Sequence, residues 1–233
     1  LEAECVADPT ICDDGNPFVG DGCSPSCKLS VAHPGDLIIT EVMQNPHASQ
    51  DGAGEWFEVV NASAVTWDLA GWRVTDEGED SFTVSVSLEL PPGARVVLGR
   101  SSDLAVNGGV DVDVAYGAAM LLQNGADVIA LHAPQGALPE GAPIDRVAWT
   151  GTAPWPDPVG ASMALEPNLT DAVTNDDGGV WCPATETFGA GDLGTPGAPN
   201  GLCVVAACGN GYIEPGEECD DGEGNGFEPG ACR

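Results

Sequence analysis

Two stretches decide how this chain is read: "DLIITEV" (residues 36–42) and "EWFEVVN" (residues 55–61). The first is rich in β-branched residues. The second alternates, with Phe57 and Val59 on one face and Trp56, Glu58 and Val60 on the other, which is the two-residue period of a strand. Working outward, the same texture recurs in "WRVTD" (72–76), "SFTVSVSLEL" (81–90), "RVVLG" (95–99), "ADVIALHAP" (126–134) and "DRVAWTG" (145–151). Each run is short and closed by Gly, Pro, Asn or Asp. Seven or so short strands at turn-punctuated spacing predict an all-β antiparallel sandwich. "AYGAAMLLQ" (115–123) reads as strand or loop rather than helix, because it is short and contains Gly117. Residues 152–200 are rich in Pro and Gly and are expected to wrap the sandwich edge without a core of their own.

Composition narrows the function classes. The 233 residues leave room for one large domain and small extras. Asp and Glu number 37 against 6 Lys and Arg, a formal net charge of −31. Phosphate backbones are held by Lys and Arg, so nucleic acid is a poor partner, as is an anionic membrane surface. Divalent cations suit such a chain, because carboxylates are hard-oxygen ligands. Disorder is excluded by 42% hydrophobic residues and six Trp, while 32 Gly and 19 Pro supply the turns of a β-rich chain. No apolar run approaches the ~18 residues of a membrane span, and residue 1 reads as the start of a mature or excised piece.

The nine cysteines cluster at the ends, as Cys5, Cys12, Cys23 and Cys27 at the front and Cys203, Cys208, Cys219 and Cys232 at the back, with Cys182 inside. Such clusters in short polar segments read as disulfides, and so as an oxidising compartment: secreted, or on a cell surface. Zinc is the competing reading, but His33, His47 and His132 all fall outside the clusters. Residues 1–33 lack hydrophobic periodicity and need staples to hold a shape. The expected organisation is a cysteine-rich module over 1–33, a sandwich over 34–202 and a second cysteine-rich module over 203–233.

The two ends repeat one phrase: "CDDGNPFVGDGC" (12–23) and "CDDGEGNGFEPGAC" (219–232). Adjacent carboxylates, a turn glycine and a nearby Asn place hard oxygens in one tight loop. Asp13, Asp14, Asn16 and Asp21 form one candidate calcium set; Glu217, Glu218, Asp220, Asp221 and Asn225 form the other. Turn formation in a disulfide knot explains the same residues, and the spacing is not that of an EF-hand. "TNDDGG" (174–179), with Asp176 and Asp177, is a further cation-loop candidate with the same competing reading. Cys182 and Cys203 lie outside both copies and are expected to pair. They would close a loop of about 20 residues, worth on the order of 3 kcal/mol. Pairing among the other cysteines stays open.

"CGNG", "EPGEECDDG" and "GDGCSPSC", split over the two ends, resemble the cysteine-rich repeat of secreted myxobacterial proteins. That resemblance implies extracellular modules in tandem, the last one cut off before its final Cys. The centre resembles a lamin-tail domain. The matching motifs are Ile39-Thr40-Glu41-Val42, the strand 55–61 running into Asn61, and Asp68-Leu69-Ala70-Gly71-Trp72. They continue in "LPPGARVVLGRS" (90–101), "GADVIALHAPQGALPEGAPIDRVAWTG" (125–151) and "GTPGAPNG" (194–201). The resemblance covers roughly residues 34–201 and implies an immunoglobulin-like β-sandwich. Lamin tails are credited with DNA binding; the −31 charge argues against carrying that over.

Residue by residue, structural roles are expected. Trp72 reads as a core aromatic, Gly71 as a turn, Asn61 as a turn anchor. Glu41 and Glu58 sit on strands and need solvent or a partner, for which Arg73, Arg95 and Arg146 are available. "NAS" at Asn61 and "NLT" at Asn168 match the glycosylation acceptor pattern, which the bacterial resemblance makes silent. No G-x-S-x-G, H-E-x-x-H or Cys–His dyad appears, His132 reads as a partly exposed strand residue, and the Asp111–Asp113 pair reads as a solvated edge. The leading expectation is a non-enzymatic extracellular scaffold or interaction module of a larger protein, with other protein modules or surface components as partners. The alternative is a carbohydrate-binding accessory domain of a secreted hydrolase, gripping sugar with surface Trp149 and Trp155. An enzyme would need a deep pocket with perturbed carboxylates.

Overall fold

The computed structural model describes residues 32–78, 80–134 and 142–203. The chain divides into two compact units, Leu1–Gly201 and Leu202–Arg233; of the second, only Leu202 and Cys203 are described. The first unit is built of strands in chain order: β1 (Leu37–Met43), β2 (Trp56–Asn61), β3 (Trp67–Asp68), β4 (Arg73–Thr75), β5 (Ser81–Thr83), β6 (Glu89–Leu90), β7 (Arg95–Gly99), β8 (Val114–Ala115), β9 (Asp127–His132), β10 (Asp145–Trp149), β11 (Met163–Leu165) and β12 (Trp181–Pro183). A six-stranded sheet runs β12-β11-β1-β2-β7-β8, a four-stranded sheet runs β10-β9-β4-β5, and β3 pairs with β6. This is the immunoglobulin-like β-sandwich that the alternation and turn spacing predict.

The core lies between the sheets. Trp72, Phe57, Ile39, Val42, Ile129 and Val147 are almost completely buried there. Trp72 donates its indole N–H to the Asp68 carbonyl at 3.0 Å and meets Trp67 edge-on at 5.8 Å between ring centroids. The polar end of Trp72 is therefore satisfied without opening the core. Gly71 turns into this strand at a φ of +84°, where an L side chain would be strained. Asn61 donates from Nδ2 to the Val65 and Leu90 carbonyls and accepts from the Ser63 N–H, so it ties three turns together and its amide is fully buried. That burial leaves no room for a glycan.

The seven strands read from sequence are all present, with three differences. First, "SFTVSVSLEL" is two strands. Asp68 accepts from Ser87 Oγ and the Leu88 N–H, pulling the chain after β5 out of its sheet and into the β3–β6 pair. Second, β8 pairs with β7 in parallel. The excursion after β7 is turned back by Asn107, which donates to the Ser101 and Val110 carbonyls, so the chain returns in the same direction before it pairs. Residues Gly117–Ala119, expected as strand or loop, form a single 3-10 turn. Third, the Pro- and Gly-rich segment does wrap the sandwich, but it also contributes β11 and β12 to the large sheet beside β1. A disulfide joins Cys182 to Cys203, the pairing expected. Residues 1–31 and 204–233, including Cys5, Cys12, Cys23, Cys27, Cys208, Cys219 and Cys232, lie outside the described residues.

The central packing gives a direct test. Trp72→Ala removes a fully buried indole and its bond to Asp68, and is expected to cost about 3–5 kcal/mol in a urea unfolding titration.

Candidate functional site

The second face of the large sheet is covered as well, which is why β1 and β2 are buried along their whole length. The strand register shifts between Ile39 and Glu41, so that Glu41 stands directly opposite Glu58. A bulge of this kind re-aims one side chain across the pleat. Like charges set opposite each other across a ladder repel, and both side chains are fully buried. The segment "GTPGAPNG" resolves the conflict together with Thr40, Arg95 and Ser162, and between them all four oxygens are occupied. Glu41 accepts at Oε1 from the Ser162 hydroxyl and, at 2.8 Å, from the Thr195 N–H; its Oε2 accepts from Thr195 Oγ1 at 3.0 Å. Glu58 accepts at Oε1 from Thr40 Oγ1 (2.7 Å) and Arg95 Nε (3.1 Å), and at Oε2 from the Gly197 N–H (2.9 Å). Asn200 completes the buckle by donating to the Thr40 and Leu165 carbonyls. Gly194 packs closely here: a Cβ there would stand 3.0 Å from Glu41 Oε1. Beside this buckle, Phe188 closes over Trp56 edge-on at 5.9 Å between centroids.

Other buried carboxylates also collect donors from distant segments, although Oε1 of Glu55 has no partner among the described residues. Glu55 accepts from Arg100 Nη1 and the Leu122 N–H. Asp145 accepts from the Ile39 N–H and from Asn175 Nδ2. Asp192 accepts from the backbone N–H groups of His47 and Ala48. Burial pushes Glu58 and Glu55 up to about 7 and Asp145 up to about 6, despite the hydrogen bonds and the arginines that pull the other way. Glu41 is raised for the same reason. Perturbed carboxylates are an enzyme signature only where a substrate can reach them. Here Glu41 and Glu58 are sealed under a strap and their oxygens are occupied, so their role is to fasten loops.

An opening exists elsewhere. The sandwich has two edges on one side, β5 of the small sheet and β8 of the large one. Between them lies a cavity of about 320 Å³. Thr83, Ser85 and Val86 line it from the β5 side, and Val114 and Ala115 from the β8 side. Phe82 and Tyr116 also line it, stacked at 5.0 Å between centroids, with Tyr116 stacked in turn on Phe57. Asp113 sits at the rim, its Oδ2 accepting from the Val97 N–H. Val86 is 54% exposed beside it. Among the described residues, the hydroxyls of Thr83 and Ser85 share no hydrogen bond with a titratable side chain, so the groove holds no activated nucleophile of the Ser–His type. Its lining joins a stacked aromatic pair and small apolar side chains to the polar Thr83, Ser85 and Asp113, beside the outermost strands of the two sheets.

The expected sites fare differently. All candidate calcium ligands, Asp13, Asp14, Asn16, Asp21, Glu217, Glu218, Asp220, Asp221 and Asn225, lie outside the described residues. Among the described residues no cluster of three His, Cys, Asp or Glu side chains could hold a metal ion. In "TNDDGG" Asp177 accepts from the Gly179 N–H, a turn contact, while Asn175 is drawn inside to Asp145. Trp149 and Trp155, expected as surface aromatics for sugar, are both buried. Trp149 donates to the Gln123 carbonyl, and Trp155 packs on Trp181 at 5.8 Å between centroids. In "DRVAW" the two-residue period puts Trp149 on the side of Val147 and away from Arg146, and that side meets the core, whereas "APWPDP" carries no sign of which side of the turn is covered. The Phe82–Tyr116 groove leaves no mark in the sequence, because it forms between strands more than 30 residues apart. Among the described residues no helix is long and apolar enough to cross a membrane.

A family model described as Lamin Tail Domain matches residues 30–151, just over half of the chain. It spans β1 to β10, including Glu41 and Glu58, and stops short of Ser162, Thr195, Gly197 and Asn200, which close over them. No curated protein and no solved structure matches the chain.

The buried acids dictate a pH response. Glu55 and Glu58 bind protons in the folded state that the unfolded chain, at 4.5, has already released. Their contribution is present below 4.5 and is lost as pH rises through about 7. His132, whose pKa burial lowers, acts in the opposite sense, but as a single group. The melting temperature is expected to fall as pH rises through this window, and Glu58→Gln to flatten that fall in a calorimetric pH series. Thr195→Val, which removes a donor to Glu41, is expected to cost roughly 1–3 kcal/mol.

Proposed function

Because the chain belongs to the lamin tail domain family, we propose that it works as a non-enzymatic interaction module, binding a protein partner rather than turning over a substrate. The groove between β5 and β8 carries this reading. It offers stacked aromatic surface and free strand edges, the chemistry of recognition, while the perturbed carboxylates are locked inside the fold. The carbohydrate alternative loses its support with the burial of Trp149 and Trp155, since a sugar platform needs exposed ring faces.

In the same proposal the module belongs to a larger secreted or cell-surface protein. Its cysteine-rich ends are disulfide-stapled pieces that set the spacing between sandwiches, and their Asp-Asp-Gly loops hold calcium. The supports are the clustered cysteines, the repeated acidic phrase and the −31 charge. The Cys182–Cys203 disulfide is in keeping with an oxidising compartment.

Two measurements test this. The immobilised chain is expected to retain peptides from a random display library saturably, and to give no heat with a panel of soluble polysaccharides. Polysaccharide binding, or turnover of chromogenic ester or glycoside substrates, reverses the reading. For the ends, EDTA is expected to lower the melting temperature, and dithiothreitol to expose the terminal segments to protease before the sandwich. An unchanged melting temperature on chelation removes calcium from the proposal.

A further inference from the structure

The groove has a geometry more specific than an apolar patch. In the β4–β5 hairpin the Asp76 N–H donates to the Asp80 carbonyl, and the Val84 N–H to the Trp72 carbonyl. With Val74 opposite Phe82 in between, these bonds fix which residues face β4. Bonded pairs alternate with unbonded ones in an antiparallel ladder. Phe82 therefore spends its backbone groups on Val74, and Ser81 and Thr83 turn their N–H and C=O groups away from β4, toward the open edge. Beyond them the chain stays exposed through Ser85, Val86 and Ser87. The edges on the other side of the sandwich are not equivalent. β10 is capped by the turn at Thr174–Asp176, through the bond from Asn175 to Asp145, and β12 carries the disulfide to Cys203.

We infer that β5 is a docking edge for an extended, cationic segment of a partner protein, which adds a strand beside Ser81–Thr83 and buries an apolar side chain in the cavity over Phe82 and Tyr116. This rests on the reading of the chain as an interaction module. Strand addition takes its affinity from main-chain hydrogen bonds and its selectivity from pockets for alternate side chains. The guest residue opposite Phe82 points inward, into about 320 Å³ lined by Val114, Ala115 and the aromatic pair. The guest residues opposite Ser81 and Thr83 point outward. There they run beside a turn carrying Asp76, Glu77 and Asp80, with Asp113 on the facing side of the cavity. Arg73 lies one strand further in, and Arg146 is already paired with Glu77. Charge selects among the occupants of an open edge. A second copy brings its own −31, and residues 1–31 and 204–233 are themselves predominantly acidic. Like-charged edges repel, whereas Lys and Arg on the outward positions of a guest are attracted and steered in.

The test uses the full chain and three short synthetic peptides: alternating valine and lysine, alternating valine and glutamate, and the valine–lysine peptide with a central proline. The valine–lysine peptide is expected to bind at least about tenfold more tightly than the other two, with affinity falling as salt rises. Hydrogen exchange is expected to slow at the Ser81 and Thr83 amides on binding. Thr83→Pro removes an outward N–H and leaves the bonds to β4 intact, and it is expected to weaken binding about tenfold. Ala115→Trp fills the cavity and supplies the same readout should the proline variant fail to fold. Equal binding of the glutamate peptide overturns the inference, as does protection at another edge. Ser81 and Thr83 amides already protected before peptide is added also overturn it, since a second copy or the chain's own ends would then hold the edge. If library peptides are retained but none protects β5, the module reading stands and this docking edge falls. If no peptide of any kind is retained, both fall.

Discussion

The sandwich depends on one electrostatic arrangement: two fully buried carboxyl groups facing each other across a strand pair. Burying a charge costs several kcal/mol, and burying two of like sign side by side costs more. Glu41 and Glu58 are tolerated because Thr195, Gly197, Ser162, Thr40 and Arg95 fill every oxygen. The dependence runs both ways. The acids need the strap, and the strap, with little regular structure of its own, is fixed to the sheet by the acids. Trp56 and Phe188 can then form a second small core on a face that an isolated sheet would leave wet.

The same device recurs around the molecule. Glu55, Asp68, Asp145 and Asp192 each collect backbone or amide N–H groups from loops distant in sequence. A carboxylate offers about four acceptor positions and suits a loop-rich fold, in which many N–H groups have no ladder partner. In a chain with six cations, hydrogen-bond donors replace most of the counter-charges a neutral protein would use. Acidity outside then has a separate consequence. It discourages edge-to-edge pairing of copies, so β5 and β8 can stay open without a covering helix.

Much of the fold could be read directly. "DLIITEV", "EWFEVVN", "RVVLG" and "DRVAWTG" became β1, β2, β7 and β10, because each carries enough β-branched or aromatic residues to hold a strand whatever its neighbours do. The Trp72 core position and the Asn61 anchor followed from local chemistry. The strands β11 and β12 did not, because "MAL" and "WCP" are too short for periodicity and pair only with what the sheet presents. The burial of Trp149 and Trp155, expected at the surface, has a related cause: a tryptophan's exposure depends on the elements packed over it.

The sequence by itself determined the class of the protein: an acidic β-sandwich of lamin-tail type, turned by glycine and proline, with Cys182 paired to Cys203. Apart from the disulfide, which follows from the placing of the two cysteines outside the repeated phrases, those features are local or compositional, and the energies behind them are intrinsic to short segments. Only the tertiary structure decided which acids are buried, what holds them, and that the edges of β5 and β8 meet around a stacked Phe82 and Tyr116. Such outcomes depend on contacts between residues tens of positions apart. A bulge at Thr40 that shifts the register by one residue sends Glu41 to a different face, and the period of the sequence alone cannot register that shift.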